Sequence, residues 1–209
     1  MGSNVYNTKY DVIYEMLKPE VVHNFLLEHE IDKIINDNKN EFKPARVVAL
    51  DPNNYNGAIN DKVRKCGICD LMDNKYDWLK EKIFNYAKAA IKKSDFPDID
   101  IDRISQIDLL KYEGGDNFNW HTDVSLEGNF RSLQRKFTVI IPLSQYYKDY
   151  TGGFLKIKRH PEISDPFNKK FLNKGSAVAF PSFLEHIATP VTSGTRYAIV
   201  AWASGPYWR

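Results

Sequence analysis

The residues of this chain best suited to chemistry are two histidines and an aspartate. His121 and Asp123 stand two positions apart, and His186 follows later in the chain. Two imidazoles and one carboxylate can occupy one face of an iron ion and leave its other coordination positions open. Ten residues after His186, Arg196 offers a planar, permanently charged guanidinium that suits a carboxylate. These residue types and spacings predict an iron site with a carboxylate-binding arginine beside it.

The spacing of His121 and Asp123 suits a single ion only where the backbone is extended. Residues i and i+2 of a strand point to the same face about 6.6 Å apart, so both side chains can reach one ion. On a helix the same spacing does not converge. An H-x-D pair alone is weak evidence, because each histidine could be an ordinary surface or hydrogen-bonded residue. The other histidines are interpreted as structural or surface residues: His23, His29 and His160.

The elements that must position these residues are predicted from hydrophobic periodicity. Helical spacing of apolar residues predicts two core-packing helices over 28–36 and 76–93, the second ending before Pro97. Farther along, apolar runs punctuated by glycines predict strands over 104–112, 136–143, 154–157, 176–180 and 196–203. Short strands at this spacing favour a sandwich or jelly roll over a parallel α/β sheet. We therefore predict an α+β fold, one domain over residues 1–209, with a helical support and flanking strands in 1–103.

Composition and charge argue against a nucleic-acid or membrane partner. A net charge of +2 over 209 residues gives no basic footprint for nucleic acid. The sequence has no apolar run long enough to span a membrane and no signal peptide, so we expect a cytoplasmic protein without a membrane partner. Cys66 and Cys69 form a lone C-x-x-C, without the second pair that a zinc site requires, and are interpreted as ordinary reduced cysteines.

Several motifs, in order, resemble the prolyl-4-hydroxylase-like 2-oxoglutarate oxygenases. Residues 112–123 resemble the family's Y-x-x-G-x-x-[YF]-x-x-H-x-D segment. Residues 135–144 and 150–155 resemble its next strands and its GG-x-L turn. Residues 186–196 are similar to the H-x-V-x-P-V-T-x-G-x-R ending of its bacterial and phage branch, the PKHD type. The resemblance covers about 104–209, the part that we expect to form the oxygenase core, a double-stranded β-helix (jelly roll).

The resemblance implies a role for each matched residue. The implied iron ligands are His121, Asp123 and His186. The implied cosubstrate-binding residues are Tyr112, Thr138, Arg196 and Trp202, with Arg196 and Tyr112 on the distal carboxylate of 2-oxoglutarate. The implied cofactors are Fe(II) and 2-oxoglutarate, with ascorbate as a further expectation, and O2 is the second cosubstrate. The implied reaction is hydroxylation of a C–H bond, foremost on a prolyl residue of a peptide or protein substrate.

Two departures from the family and three competing functions stay open. Animal and algal prolyl hydroxylases usually carry lysine at the position of Arg196, so the resemblance is to the microbial branch. Pro142 stands where relatives often have tyrosine, which predicts a bulge or a sheet edge there. The loops expected to select the substrate are 49–60, 125–131 and 160–173. A nucleic-acid-modifying oxygenase of the same superfamily would resemble R-x-x-x-x-x-R at its end, whereas Trp202 stands six residues after Arg196. A barrel that binds a metal or ligand without turnover also stays open, as does an iron-free structural jelly roll.

Overall fold

The computed structural model describes residues 19–47, 58–94, 98–124, 134–158 and 173–206. Two α-helices lie in these residues, α1 (Glu28–Asn38) and α2 (Asp77–Lys93), and a short 3₁₀-helix (Asn74–Tyr76) leads into α2. The strands of the first half are β1 (Glu20–Val22), β2 (Lys43–Pro44), β3 (Arg64–Lys65) and β4 (Gly67–Asp70). Those of the second half are β5 (Arg103–Tyr112), β6 (Asn117–His121), β7 (Gln134–Pro142), β8 (Tyr150–Gly152), β9 (Leu155–Ile157), β10 (Ala177–Pro181), β11 (His186–Ala188), β12 (Val191–Gly194) and β13 (Arg196–Gly205).

Both predicted helices are confirmed. In α2 the predicted stripe faces the core, with Leu79, Ile83 and Ala87 fully buried. Tyr86, on the same stripe, is half-buried, and its hydroxyl donates to the carbonyl of Glu20 at 2.7 Å. The helix ends at Lys93, and residues 95–97, which were expected to end it, lie outside the described residues. Neither of the described helices is long and apolar enough to cross a membrane.

The strands form antiparallel sheets that enclose the candidate site. The major sheet has the order β1-β10-β7-β13-β5-β4-β2, and a smaller one has the order β3-β6-β11-β9. A two-stranded ribbon, β12-β8, lies beside them. Strands β3 and β4 come from the first half of the chain and pair with β6 and β5 of the second half. In addition to its helices, the first half therefore supplies β1, β2 and β4 to the major sheet and β3 to the smaller one.

The major sheet is covered on both faces. On one face Leu109 packs with residues of α1 and α2, whereas its neighbour Leu110 packs on the other face with residues of the smaller sheet. This alternation follows from the period of two in a strand. Two antiparallel sheets with helices packed against the outer face of one confirm the predicted α+β jelly roll.

The five predicted strands are all present, within two residues at each end. At Pro142 the structure shows no bulge, and the strand has a free edge only on the side of β10. Pro142 is the last residue of β7, a central strand, and pairs with Ala198 without a register shift there. Its carbonyl accepts a hydrogen bond from the Gly175 N–H, on the side where pairing with β10 has already ended at Ile140. Because the N and O of one strand residue point to the same side, the missing proline N–H costs no ladder bond.

The loops expected to select a substrate fall almost entirely outside the described residues. Of the segment 49–60 only 58–60 are described, of 160–173 only Asn173, and of 125–131 none. Their role therefore stays a prediction.

Candidate functional site

The two histidines and the aspartate converge at the junction of β6 and β11. His121 is the last residue of β6, His186 is the first of β11, and the two are direct pairing partners. Asp123 lies two residues beyond β6, where its N–H donates to the carbonyl of Ser182 at 2.9 Å. The three side chains offer ligand atoms that all lie within 4.8 Å of one another. Strand pairing therefore joins the histidines, and a bend after β6, rather than the predicted strand alternation, turns the carboxylate toward them.

Backbone carbonyls fix the orientation of both imidazoles. Nδ1 of His121 lies 2.7 Å from the carbonyl oxygen of Asn119, and Nδ1 of His186 lies 3.0 Å from that of Leu184. Because a carbonyl can only accept, each Nδ1 carries a proton, and in the neutral form of each ring the lone pair is on Nε2. The Nε2 atoms lie 3.6 Å and 3.5 Å from the two carboxylate oxygens of Asp123, too far for hydrogen bonds. Three acceptors thus face one another without a donor between them, an arrangement that fits a cation.

The charge state of the site at neutral pH suits a divalent metal. Burial and the neighbouring His186 lower the pKa of His121 to about 4, against the opposing effect of Asp123. Burial acts to raise the pKa of Asp123, but the two histidines and the hydroxyl of Thr138 outweigh it, so this pKa lies below its usual value. At neutral pH His121 is therefore an uncharged ligand and Asp123 an anionic one.

Thr138 contacts the carboxylate of Asp123. It is fully buried in β7, and its hydroxyl donates to Oδ2 of Asp123 at 2.7 Å. The hydroxyl of Ser182 lies 2.9 Å from that of Thr138. The structure thus gives Thr138 a contact that supports the carboxylate, and Thr138 is not among the side chains that line the adjoining cavity.

A narrow cavity, about 430 Å³ including its open mouth, joins this centre to the buried interior between the sheets. The side chains that Arg196, Ala198, Val200 and Trp202 direct from β13 all reach it, as the alternation of the strand predicts. The remaining wall is mostly apolar and aromatic and consists of Arg64, Leu110, Tyr112, Phe118, His121, Asp123, Ile140, Leu155, His186 and Ala188.

Arg196 is an unpaired charge inside this cavity. Arg196 is only 4% exposed, and its Nε has no hydrogen-bond partner. Within the described part of the chain no carboxylate pairs with it. Its guanidinium lies 5.1 Å from the ring centroid of Tyr112, its pairing partner on β5. Because a buried unpaired charge is costly, this site favours an anionic ligand.

Tyr112 and Trp202, for which the resemblance implies a cosubstrate role, both line the cavity. Tyr112 presents the face of its ring to the guanidinium, and burial raises the pKa of its hydroxyl. Trp202 stacks against the guanidinium of Arg135, whose Cζ lies 3.7 Å from the ring centroid. The indole N–H of Trp202 is buried without a partner.

Arg64 is a cavity residue that the sequence did not reveal. It is buried in β3, its guanidinium lies 4.6 Å from the ring centroid of Phe118, and its Nε has no partner. Strand β3 has only two residues, too few to show a period. The one signal was an arginine within an otherwise unremarkable segment, which alone indicates a surface residue.

The sequence of this chain is similar to sequences of 2-oxoglutarate-dependent iron oxygenases. Residues 107–204 match the profile of the 2OG-Fe(II) oxygenase superfamily. A PKHD-type hydroxylase of Acaryochloris marina is 33% identical over 126 residues, which cover 59% of this chain and 52% of that protein. The chain spans about half the length of the curated relatives it matches.

Solved structures with the same fold are more distant in sequence. A Pseudomonas putida prolyl-4-hydroxylase has a TM-score of 0.67 at 14% identity, covering 93% of this chain and 98% of that one. A prolyl hydroxylase from Trichoplax adhaerens, in complex with a hypoxia inducible factor oxygen degradation domain peptide fragment, has a TM-score of 0.65 at 17% identity. The aligned part covers 93% of this chain and 88% of the Trichoplax adhaerens chain. At these identities the structures establish a shared fold.

Proposed function

Because residues 107–204 match the profile of the 2OG-Fe(II) oxygenase superfamily, we propose that this chain is a member of it and a 2-oxoglutarate-dependent dioxygenase that hydroxylates a C–H bond. One observation carries the proposal. A set of three metal-ligand side chains and an unpaired buried arginine line the same cavity. The three ligand side chains suit Fe(II), and the arginine suits a carboxylate. A 2-oxo dicarboxylic acid needs the metal at one end and the arginine at the other.

The ligand residues of this site fit an Fe(II) ion. His121, Asp123 and His186 would hold it, because their lone pairs converge and the other ring nitrogen of each histidine is fixed by a carbonyl. When bound, Fe(II) and 2-oxoglutarate supply the oxidising chemistry with O2. We also propose ascorbate as a further cofactor, on the family resemblance alone.

The protein's own contribution is binding, orientation and exclusion of water. Arg196 would bind the far carboxylate of 2-oxoglutarate, with the ring of Tyr112 packed against its guanidinium. Ala198, Val200 and Leu110 make that part of the cavity apolar, which strengthens the charge interaction. Thr138 would hold the Asp123 carboxylate in the orientation that the metal requires.

We propose a prolyl residue of a peptide or protein as the substrate. The similar structures support this choice, because they include a prolyl-4-hydroxylase and a prolyl hydroxylase bound to a peptide fragment. The net charge of +2 provides no attraction for nucleic acid, which disfavours a nucleic-acid-modifying oxygenase.

The test is formation of succinate from 2-oxoglutarate by the iron-loaded protein, with and without a library of proline-containing peptides. We expect slow succinate release alone, stimulation by some peptides, and a gain of about 16 mass units on those peptides. The His121→Ala variant, which lacks one of the three proposed iron ligands, is assayed in parallel and gives the background rate of succinate release. No succinate above that background would support the binding-only barrel and contradict the enzyme. Succinate release stimulated only by oligonucleotides would support a nucleic-acid-modifying oxygenase instead.

A further inference from the structure

We propose that the hydroxyl of Tyr150 is a second donor for the carboxylate that Arg196 binds. The inference rests on the proposed function and adds to it a residue that decides selectivity for a dicarboxylic cosubstrate. Tyr150 opens β8 and precedes the turn formed by Gly152 and Gly153. It is 2% exposed, and its hydroxyl is buried without a hydrogen-bond partner in the described chain.

The unpaired hydroxyl of Tyr150 lies beside the unpaired charge of Arg196. Gly153 shows how close they are, because a Cβ built there would lie 2.9 Å from Cδ of Arg196 and 3.3 Å from Cε2 of Tyr150. These two atoms stand next to the groups that carry the unpaired Nε and hydroxyl. The glycine has a φ of 59°, which a side chain rarely adopts, so this position both allows the turn and leaves the space.

Two buried donors without an acceptor indicate a ligand that accepts from both. Leaving a buried hydroxyl unpaired costs free energy, as does an unpaired guanidinium. A carboxylate has two oxygens and can satisfy both groups at once. Burial raises the pKa of Tyr150, against the opposing effect of Arg196, so the phenol keeps its proton at neutral pH and can donate it.

Tyr150 is held in place before any ligand arrives. Its backbone pairs with Gly194 of β12, and the ring of Tyr146 packs edge-on against its own ring at 5.5 Å between centroids. A donor fixed in this way loses little conformational entropy when the ligand binds. Tyr112, by contrast, offers Arg196 the face of its ring.

The test compares two cosubstrates that differ only at the far end. 2-Oxoglutarate and 2-oxopentanoate share the metal-binding end, but the second lacks the distal carboxylate. Both are titrated by calorimetry into protein loaded with Mn(II), which occupies similar sites without supporting turnover. For Tyr150→Phe we expect about tenfold or more weaker binding of 2-oxoglutarate, since a hydrogen bond to a charged group is lost. Binding of 2-oxopentanoate should stay within twofold of the wild type.

Tyr146→Phe is the matched control, because it removes one phenol hydroxyl from the same loop while keeping the ring that packs on Tyr150. It should leave both affinities near those of the wild type. A second measurement is the thermal midpoint without ligand, which Tyr150→Phe should leave unchanged or raise, because it deletes an unpaired buried hydroxyl.

The outcomes separate this inference from the proposed function. If Tyr150→Phe keeps wild-type affinity for 2-oxoglutarate, or weakens both acids equally, the inference is wrong while the proposed function stands. If the wild-type protein itself binds the two acids equally, the proposed cosubstrate is wrong and the inference fails with it.

Discussion

The hydroxyl of Thr138 donates a 2.7 Å hydrogen bond to Oδ2 of Asp123. Ser182 adds a second connection, because its carbonyl accepts the N–H of Asp123 and its hydroxyl lies 2.9 Å from that of Thr138. Asp123 stands outside β6, so strand pairing does not orient it. Two buried hydroxyl groups on β7 and the turn after β10 do so instead.

The first prediction concerns this support. Thr138→Val keeps the shape of the side chain but removes the donor to Asp123. Loss of such an outer contact typically weakens metal binding by about 10–100-fold. Competition of Fe(II) or Mn(II) binding against a chelator measures the change. Thr192→Val, at an exposed threonine, serves as the control. A metal affinity equal to the wild type in Thr138→Val would show that the hydrogen bond plays no part in the site.

The second prediction concerns the ligands themselves. His121→Ala removes one of three converging donors and should abolish stoichiometric metal binding, measured by elemental analysis after dialysis. His29→Ala removes an exposed histidine from α1 and should bind one metal ion per chain, as the wild type does. Full occupancy in His121→Ala would place the metal elsewhere.

The third prediction concerns Arg196. In Arg196→Ala the carboxylate of a bound 2-oxoglutarate loses a buried cationic partner, a change that costs about 3–5 kcal/mol and raises Kd at least about a hundredfold. Calorimetry on the Mn(II)-loaded protein measures Kd, and metal content should persist. Arg103→Ala, which removes an exposed arginine paired with Asp102, should bind normally. Undiminished affinity in Arg196→Ala would assign the carboxylate to another residue, of which Arg64 would be the first to examine.

The fourth prediction concerns Asp108, a carboxylate buried in β5. Burial raises its pKa to about 6, although hydrogen bonds from Gln106 and the charges of Arg64 and Arg135 act against the rise. A folded-state pKa above the unfolded value of 3.8 means that the folded protein is destabilised as pH rises from about 4 through 6. The loss above pH 6 is at most about 3 kcal/mol for a shift of this size.

Asp108→Asn should therefore be more stable than the wild type at pH 8, and its stability should change less between pH 4 and 6. Urea unfolding at a series of pH values measures both effects. Asp61→Asn, at an exposed position, should leave the pH dependence as it is in the wild type. A drop in the stability of Asp108→Asn at pH 8 would mean that the attraction of the two arginines outweighs burial.

The sequence by itself determined the parts of this protein that are encoded by local pattern. The stripe of α2 and the alternation along β13 follow from helical and strand periods within one segment, so the helix, the strand and the inward direction of Arg196 could be predicted. Motif spacing identified His121, Asp123 and His186 as a set because these residue types are few in the chain and their chemistry is distinctive.

Only the tertiary structure decided how that set is built. His186 meets His121 because β11 pairs with β6, a contact between segments 65 residues apart that no local period encodes. Arg64 and Tyr150 reach the interior from strands of two and three residues, too short for their faces to be read from the sequence. The motif match implied a cosubstrate role for Thr138, and only the packing of β7 against the bend after β6 shows that its hydroxyl donates to Asp123. Residue types thus define the chemistry that a chain can perform, while long-range pairing and packing select the side chains that perform it.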